Sequence, residues 1–137
     1  MAEATVKQLI RAGRAVQDAR ILILGLTFKE NVPDLRNSRV VDIITELRDY
    51  GVEVFAHEPR ADAAEAEEEM GIAVTPLEAV PPVDGIVLAV SHQEYCDLSD
   101  EALRRLCRDD GSPVFIDVKT VRDRKALEAL GFRYWCL

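Results

Sequence analysis

Apolar positions fall into two rhythms along the chain. Val6, Leu9, Ile10 and Val16 recur on roughly one face of a helix over residues 3–16, with Gly13 weakening its far end. Ile21-Leu22-Ile23-Leu24 is instead an unbroken apolar run stopped by Gly25. Such a run suits a strand covered on both faces, as in a parallel sheet. A polar loop over 27–37, punctuated by Asn31-Val32-Pro33-Asp34, leads to a helix carrying Val40, Val41, Ile43, Ile44 and Leu47. Tyr50-Gly51 closes that helix, and the glycine is a left-handed stop. The unit then recurs in kind. Val52 to Ala56 reads as a short strand and residues 61–70 as an acidic, Ala-rich helix. Ile72-Ala73-Val74 is a weak strand, followed by a helical turn over Pro76 to Val80. Gly85 to Val90 is a second fully apolar run and Val114 to Val118 a third, with a helix over 99–108 between them. A helix over 121–130, ended by Gly131, and a strand from Phe132 to Cys136 complete the pattern.

Strand and helix alternate throughout, which predicts an α/β fold: a doubly wound, mainly parallel six-stranded sheet. Right-handed crossovers leave few topologies, and 3-2-1-4-5-6 is the natural order. In such sheets ligands bind beyond the carboxyl ends of the strands, where the strand order reverses. Three loops then converge: Thr27 to Ser38, Ser91 to Tyr95, and Lys119 to Arg122. No repeat or low-complexity linker splits the chain.

Composition narrows the partners. Lys and Arg total 17 against 25 Asp and Glu, a net charge of −8. That excess of acid argues against nucleic acid and against an anionic membrane surface, both of which need clustered base. With 48% hydrophobic and 31% charged residues, the chain has the make-up of an ordered soluble protein. No apolar run reaches the ~18 residues of a membrane span, and Met1 to Thr5 lacks the features of a secretory signal. Three cysteines at unrelated spacings do not form a disulfide framework, so a cytoplasmic setting is expected.

The first loop fails as a dinucleotide site. Of the G-x-G-x-x-G needed there only Gly25 is present, and Leu26, Phe28 and Glu30 stand where small residues are required. It offers Lys29 and Arg36 instead, ahead of a helix whose first amides also favour anions, with Asn37 or Ser38 as its N-cap. Lys119 follows the fifth predicted strand and arrives at the same edge, so Lys29 and Lys119 are expected to face one crevice there. Cations from separate loops could hold a diphosphate in this otherwise acidic chain, and Phe28 could stack on a base or sugar. Plainer readings stand beside these: Arg36 paired with Asp34 or Glu30, Lys29 and Lys119 solvated, Phe28 in an ordinary apolar contact. His92 and Cys96, with His57 elsewhere, lack the matched second pair of a zinc site, so no metal is expected. Cys107 and Cys136 read as buried small hydrophobes. No Ser-His-Asp grouping has recognisable context, and the acidic run from Asp62 to Glu69 is a solvated helix face.

Leu24-Gly25-Leu26-Thr27-Phe28-Lys29-Glu30-Asn31-Val32-Pro33-Asp34-Leu35-Arg36-Asn37-Ser38 resembles the opening of the C-terminal domain of the UDP-glucose/GDP-mannose dehydrogenase family. Asp84 to His92 and Phe115-Ile116-Asp117-Val118-Lys119 agree with it. The Thr-Phe-Lys-Glu-Asn wording is most similar to the branch oxidising UDP-N-acetylhexosamines for surface polysaccharides. The resemblance implies a three-domain, homo-oligomeric parent whose N-terminal domain binds NAD and whose middle domain carries the catalytic cysteine. Its C-terminal domain binds the UDP-sugar, and its reaction takes a C6 alcohol to a uronate with two NAD. It implies substrate contacts by Phe28, Lys29 and Lys119, and a structural or phosphate-related role for Arg36. Residues 1–18 would match the end of the inter-domain helix and its linker, and 19–137 the sugar-nucleotide-binding domain. This chain has neither the glycine motif nor the Gly-Gly-x-Cys nucleophile, so no catalytic residue and no cofactor of its own are expected, and the fragment alone should be inactive. The competing expectation is a freestanding α/β binding or interaction module that keeps the fold without the site.

Overall fold

Hydrophobic runs set the centre of the sheet. The computed structural model describes all 137 residues. In chain order the elements are helix α1 (Ala2–Arg11), strand β1 (Arg20–Leu24), α2 (Val40–Asp49), β2 (Glu53–His57), α3 (Ala63–Met70), β3 (Gly85–Leu88), α4 (Gln93–Cys96), α5 (Asp100–Arg105), β4 (Val114–Asp117), α6 (Arg124–Ala129) and β5 (Arg133–Cys136). The strands lie in the order β2-β1-β3-β4-β5 and every pairing is parallel. The three unbroken apolar runs became the three inner strands, where both faces are covered.

The pleat sends alternate residues of each run to opposite layers. Ile21, Ile23, Val87, Val114 and Ile116 pack with Val6 and Leu9 of α1 and Ile44 and Leu47 of α2. Leu22, Leu24, Ile86, Leu88 and Phe115 pack on the other side with Leu103 of α5 and Leu127 of α6. Helix α1 is therefore part of the core and not an appendage to it. No helix is long and apolar enough to cross a membrane.

The six strands expected are five. Ile72-Ala73-Val74 reduces to a single parallel bridge, Ala56 to Val74, beside β2. The segment is short, Ala73 is exposed, and Pro76 two residues later has no amide to extend a ladder. Its position is still that of the third strand in 3-2-1-4-5-6. Ile10 is 60% exposed, because Ala2, Val6 and Leu9 take the inward face and the helix ends at Arg11. Helix α2 starts after Arg39, so neither Asn37 nor Ser38 is its N-cap residue, although Ser38 Oγ accepts the Val40 amide at 3.3 Å. Cys107 is buried, which pushes its thiol up to about 12. Cys136, on the outermost strand, is only half-buried.

A crevice at the carboxyl edge of the sheet

Chain order turns around β1 and β3, so their carboxyl ends open a cleft between the outgoing loops. Gly25 lets them approach. Its φ is +96°, and a Cβ there would lie 2.5 Å from Val90 Cβ, so both backbone conformation and space demand glycine. Beyond this contact lies a crevice of about 260 Å³, lined by Thr27, Phe28, Arg39, Val90 and Lys119 among others. That is slightly below the ~300 Å³ at which small-molecule sites begin, as one wall of a larger cleft would be.

Phe28 and Lys119, from two different loops, line this crevice together. Phe28 is 54% exposed, a large ring held out toward solvent. Lys29 is exposed on the same arch but does not line the crevice. Arg36 is turned onto Asp34, with Nε 3.1 Å from Oδ1. The guanidinium's hydrogen bonds, with that of the Arg36 amide, hold the Asp34 carboxyl below its usual range. Arg39, which sequence reasoning passed over, lines the crevice from the residue ahead of α2. Its place beside that helix start was the signal available. Lys29, Arg39 and Lys119 have no carboxylate within ion-pair distance. By contrast, in the hollow at the opposite edge, lined by Gln8, Arg11, Arg124 and Arg133, two of the three arginines are engaged in the fold. Arg133 Nε donates to Gln8 Oε1 at 2.7 Å, and Arg124 lies over the Tyr134 ring.

The arch carrying Phe28 and Lys29 has an exposed tip and a buried base. Glu58, just beyond β2, is 5% exposed, and its Oε1 accepts the amides of Leu26 at 2.7 Å and Thr27 at 3.3 Å. Its Oε2 accepts the Arg60 and Ala61 amides. His92, just beyond β3 and fully buried, places Nε2 3.0 Å from Glu58 Oε1 and 3.2 Å from Thr27 Oγ1. Its Nδ1 accepts the Asn31 amide at 2.9 Å. Burial pushes the Glu58 carboxyl up, but the hydrogen bonds from His92, Leu26 and Arg60 outweigh it, and the net shift is downward.

This arrangement tests the fit of a nicotinamide dinucleotide. In a dinucleotide fold, the amides after the first strand face the pyrophosphate. Here Glu58 occupies them with a protein carboxylate. The residues present do not fit that group, in agreement with the missing glycines. No three His, Cys, Asp or Glu side chains gather as a metal would require.

The Lys119 turn is anchored in the same manner. Asp117, fully buried at the end of β4, accepts the Val121 and Arg122 amides at 3.1 and 2.8 Å and the Tyr134 hydroxyl at 2.6 Å. Burial and this bond to Asp117 push the Tyr134 hydroxyl upward. Thr120 sits at φ 55°, a costly conformation for a β-branched residue. Its strain is held by the Asp117 cradle and by a bond from Thr120 Oγ1 to the Leu137 carbonyl.

A parallel α/β sheet and a switch-point crevice with unpaired cations, beside first-loop amides already taken by Glu58, define the class as a nucleotide-binding type of α/β domain. Residues 22–124 match the sequence profile described as the UDP-glucose/GDP-mannose dehydrogenase family, UDP binding domain. The chain belongs to that family, as its C-terminal UDP-binding domain. It is 40% identical over 118 residues to the UDP-N-acetyl-D-glucosamine 6-dehydrogenase of Pseudomonas aeruginosa, covering 86% of this chain and 28% of the relative. It is 35% identical over 137 residues to protein CapL of Staphylococcus aureus, covering all of this chain and 31% of CapL. The chain thus spans under a third of these relatives. The crystal structure of NDP-N-acetyl-D-galactosaminuronic acid dehydrogenase from Methanosarcina mazei Go1 superposes with a TM-score of 0.86 at 24% identity, over 98% of this chain and 27% of that one, and shares its fold.

Proposed function

We propose that this domain forms one wall of the substrate cleft of an NAD-dependent UDP-sugar 6-dehydrogenase, and that its crevice takes the UDP moiety. The substrate would be a UDP-N-acetylhexosamine or a UDP-hexose, oxidised at C6 to a uronate for surface polysaccharide synthesis. The observation that carries this reading is the convergence of Phe28, Arg39 and Lys119 on one crevice, with Lys29 on the adjoining arch. Lys119 and Arg39 supply charge-assisted bonds to phosphate oxygens. Lys29 adds attraction at the rim, and Phe28 offers a face to the base or sugar. Arg36 acts on the loop through Asp34. The catalytic nucleophile and the NAD site belong to other domains of a homo-oligomeric cytoplasmic parent, to which residues 1–18 connect this one. This chain supplies binding and closure, and no hydride acceptor. The likeness to the P. aeruginosa relative, named for UDP-N-acetyl-D-glucosamine, favours an N-acetylhexosamine.

Titrating the chain with UDP while following backbone amide shifts tests the proposal. Shifts should cluster at 26–31, 37–40 and 117–121, with a dissociation constant of roughly millimolar, about −4 kcal/mol, because one wall alone must offset the lost freedom of the ligand. Shifts confined to the amino edge of the sheet would refute it.

A further inference from the structure

The exposed tip of the arch is held by bonds that all lie beneath it. Thr27 Oγ1 donates to the Lys29 carbonyl at 2.9 Å, and the Phe28 amide reaches the Asp34 carbonyl at 2.8 Å. At the far end stands Asn31, at φ 63°, a left-handed conformation uncommon outside glycine. Two bonds from the loop after β3 fix it: Asn31 N–H to His92 Nδ1 at 2.9 Å, and Gln93 N–H to Asn31 Oδ1 at 2.8 Å. These distances assign the protons of His92. Nδ1 accepts from an amide, so it carries no hydrogen. Nε2 faces the Glu58 carboxylate and a Thr27 oxygen whose own hydrogen goes to Lys29, so Nε2 carries the hydrogen. One buried ring thereby joins the ends of β2 and β3 to both feet of the arch grown from β1.

We propose that His92 is a positioning residue for the nucleotide-contacting arch, clamping the Asn31 amide through Nδ1 while Glu58 fixes its ring through Nε2. The inference rests on the UDP-binding reading and adds to it a residue that touches no ligand. Phe28 and Lys29 project from a segment of six residues, Leu26 to Asn31. Without the clamp the Asn31 foot keeps only the bond from Gln93 N–H to Asn31 Oδ1, and binding must then order the loosened segment at a cost to affinity. Glu58 alone does not hold it, because within the arch its amide bonds reach only Leu26 and Thr27.

Two substitutions separate the two ring nitrogens. In His92→Asn the side-chain oxygen falls near the place of Nδ1, keeping an acceptor for Asn31 and giving up the Glu58 link. In His92→Gln the amide nitrogen falls near the place of Nε2, keeping the Glu58 link and giving up the acceptor. His92→Gln should weaken UDP binding and speed hydrogen exchange at the Asn31 amide, each by about fivefold, the equivalent of one hydrogen bond. His92→Asn should do less of both. A ring that only fills space would give the reverse order, since Gln is the larger replacement. Wild-type protein provides a measurement that needs no variant to fold: long-range nitrogen–proton correlations of His92 should show an Nε2–H ring with unprotonated Nδ1, and a scalar coupling across the bond to the Asn31 nitrogen. A ring protonated at Nδ1, or His92→Gln with wild-type exchange at Asn31, would overturn the clamp. If UDP shifts no crevice amide of the wild type, the functional reading fails, and with it the positioning of a nucleotide contact, while the exchange and coupling data still report whether the arch is clamped.

Discussion

Replacing Gly25 with alanine should cost this fold about 3 kcal/mol. Two independent terms add at that position. A φ of +96° forces an L residue into left-handed territory, worth roughly 1–2 kcal/mol. The new Cβ would also stand 2.5 Å from Val90 Cβ and 3.0 Å from the Val90 amide nitrogen, atoms at the root of a neighbouring residue and not at the end of a flexible side chain. Overpacking of that kind costs about 1–3 kcal/mol. Against a typical stability of about 5–15 kcal/mol the loss is large. At roughly 3–4 °C per kcal/mol for a domain of this size it lowers Tm by about 10 °C. Gly71→Ala is the internal control. Gly71 has φ +67° with nothing within 4 Å of its Cβ position, so it carries the backbone cost without the clash. Urea unfolding of both variants, compared at equal m-value, reads the difference. If Gly25→Ala loses no more than Gly71→Ala, the close approach of the two loops is not what makes Gly25 necessary. Val90 also lines the crevice, so Gly25→Ala protein that does fold should show amide shifts at the residues lining it.

Further outcomes follow from the site. Lys119→Ala should weaken UDP binding about fivefold to tenfold and reduce its salt dependence, because a phosphate contact is lost; isothermal titration at two ionic strengths measures both. The lowered Glu58 carboxyl stabilises the fold at pH values above its unfolded pKa, and that contribution starts to fall at about pH 4.5 and is lost as pH passes down through the lower folded value. Glu58→Gln should therefore flatten the acid limb of a plot of unfolding midpoint against pH. Burial holds His57 below its ordinary range, so its neutral form is favoured in the folded state and stability should start to decline as pH falls past about 6.5; His57→Gln should remove that first decline in the same plot. Tyr134→Phe removes the hydroxyl that Asp117 accepts, and should lower stability by about 1–2 kcal/mol by chemical denaturation.

The sheet was legible because Ile21–Leu24, Ile86–Leu88 and Val114–Ile116 are apolar without interruption, a signature only a doubly covered strand requires. Ile72–Val74 was overread: three residues with Pro76 behind them satisfy β propensity without leaving room for a ladder. Phe28 and Lys119 could be placed at one edge from strand order alone. Lys29 is at that edge as expected, but it does not share the crevice with Lys119 as expected, because its direction depends on how the arch is tied. Those ties were not visible. Glu58 is one of 25 acidic residues, and the spacing of His92 from Cys96 suggests only a metal ligand. The order β2-β1-β3 does contain the clue, since the residues following β2 and β3 must flank the loop after β1. An acid and a histidine in those two places are candidates for its supports.

The same carboxylate occupies the position at which a dinucleotide fold offers its backbone to a pyrophosphate. Free amides after β1 would attract an anion, and Glu58 satisfies those of Leu26 and Thr27 from within. An external phosphate must then find its charge elsewhere, and what remains at this edge is Lys29, Arg39 and Lys119, none with a carboxylate partner. Under the proposed function, the ligand is thereby shifted from the backbone of the first loop to side chains around the crevice beside it. Backbone recognition needs glycines so that the pyrophosphate can come close. Side-chain recognition does not, which is why Leu26, Phe28 and Glu30 are compatible with a nucleotide-binding edge here. A net charge of −8 does not oppose this, because at physiological salt the Debye length is about 8 Å and only neighbouring charges count. Asp34, an acid of this same loop, is already committed to Arg36.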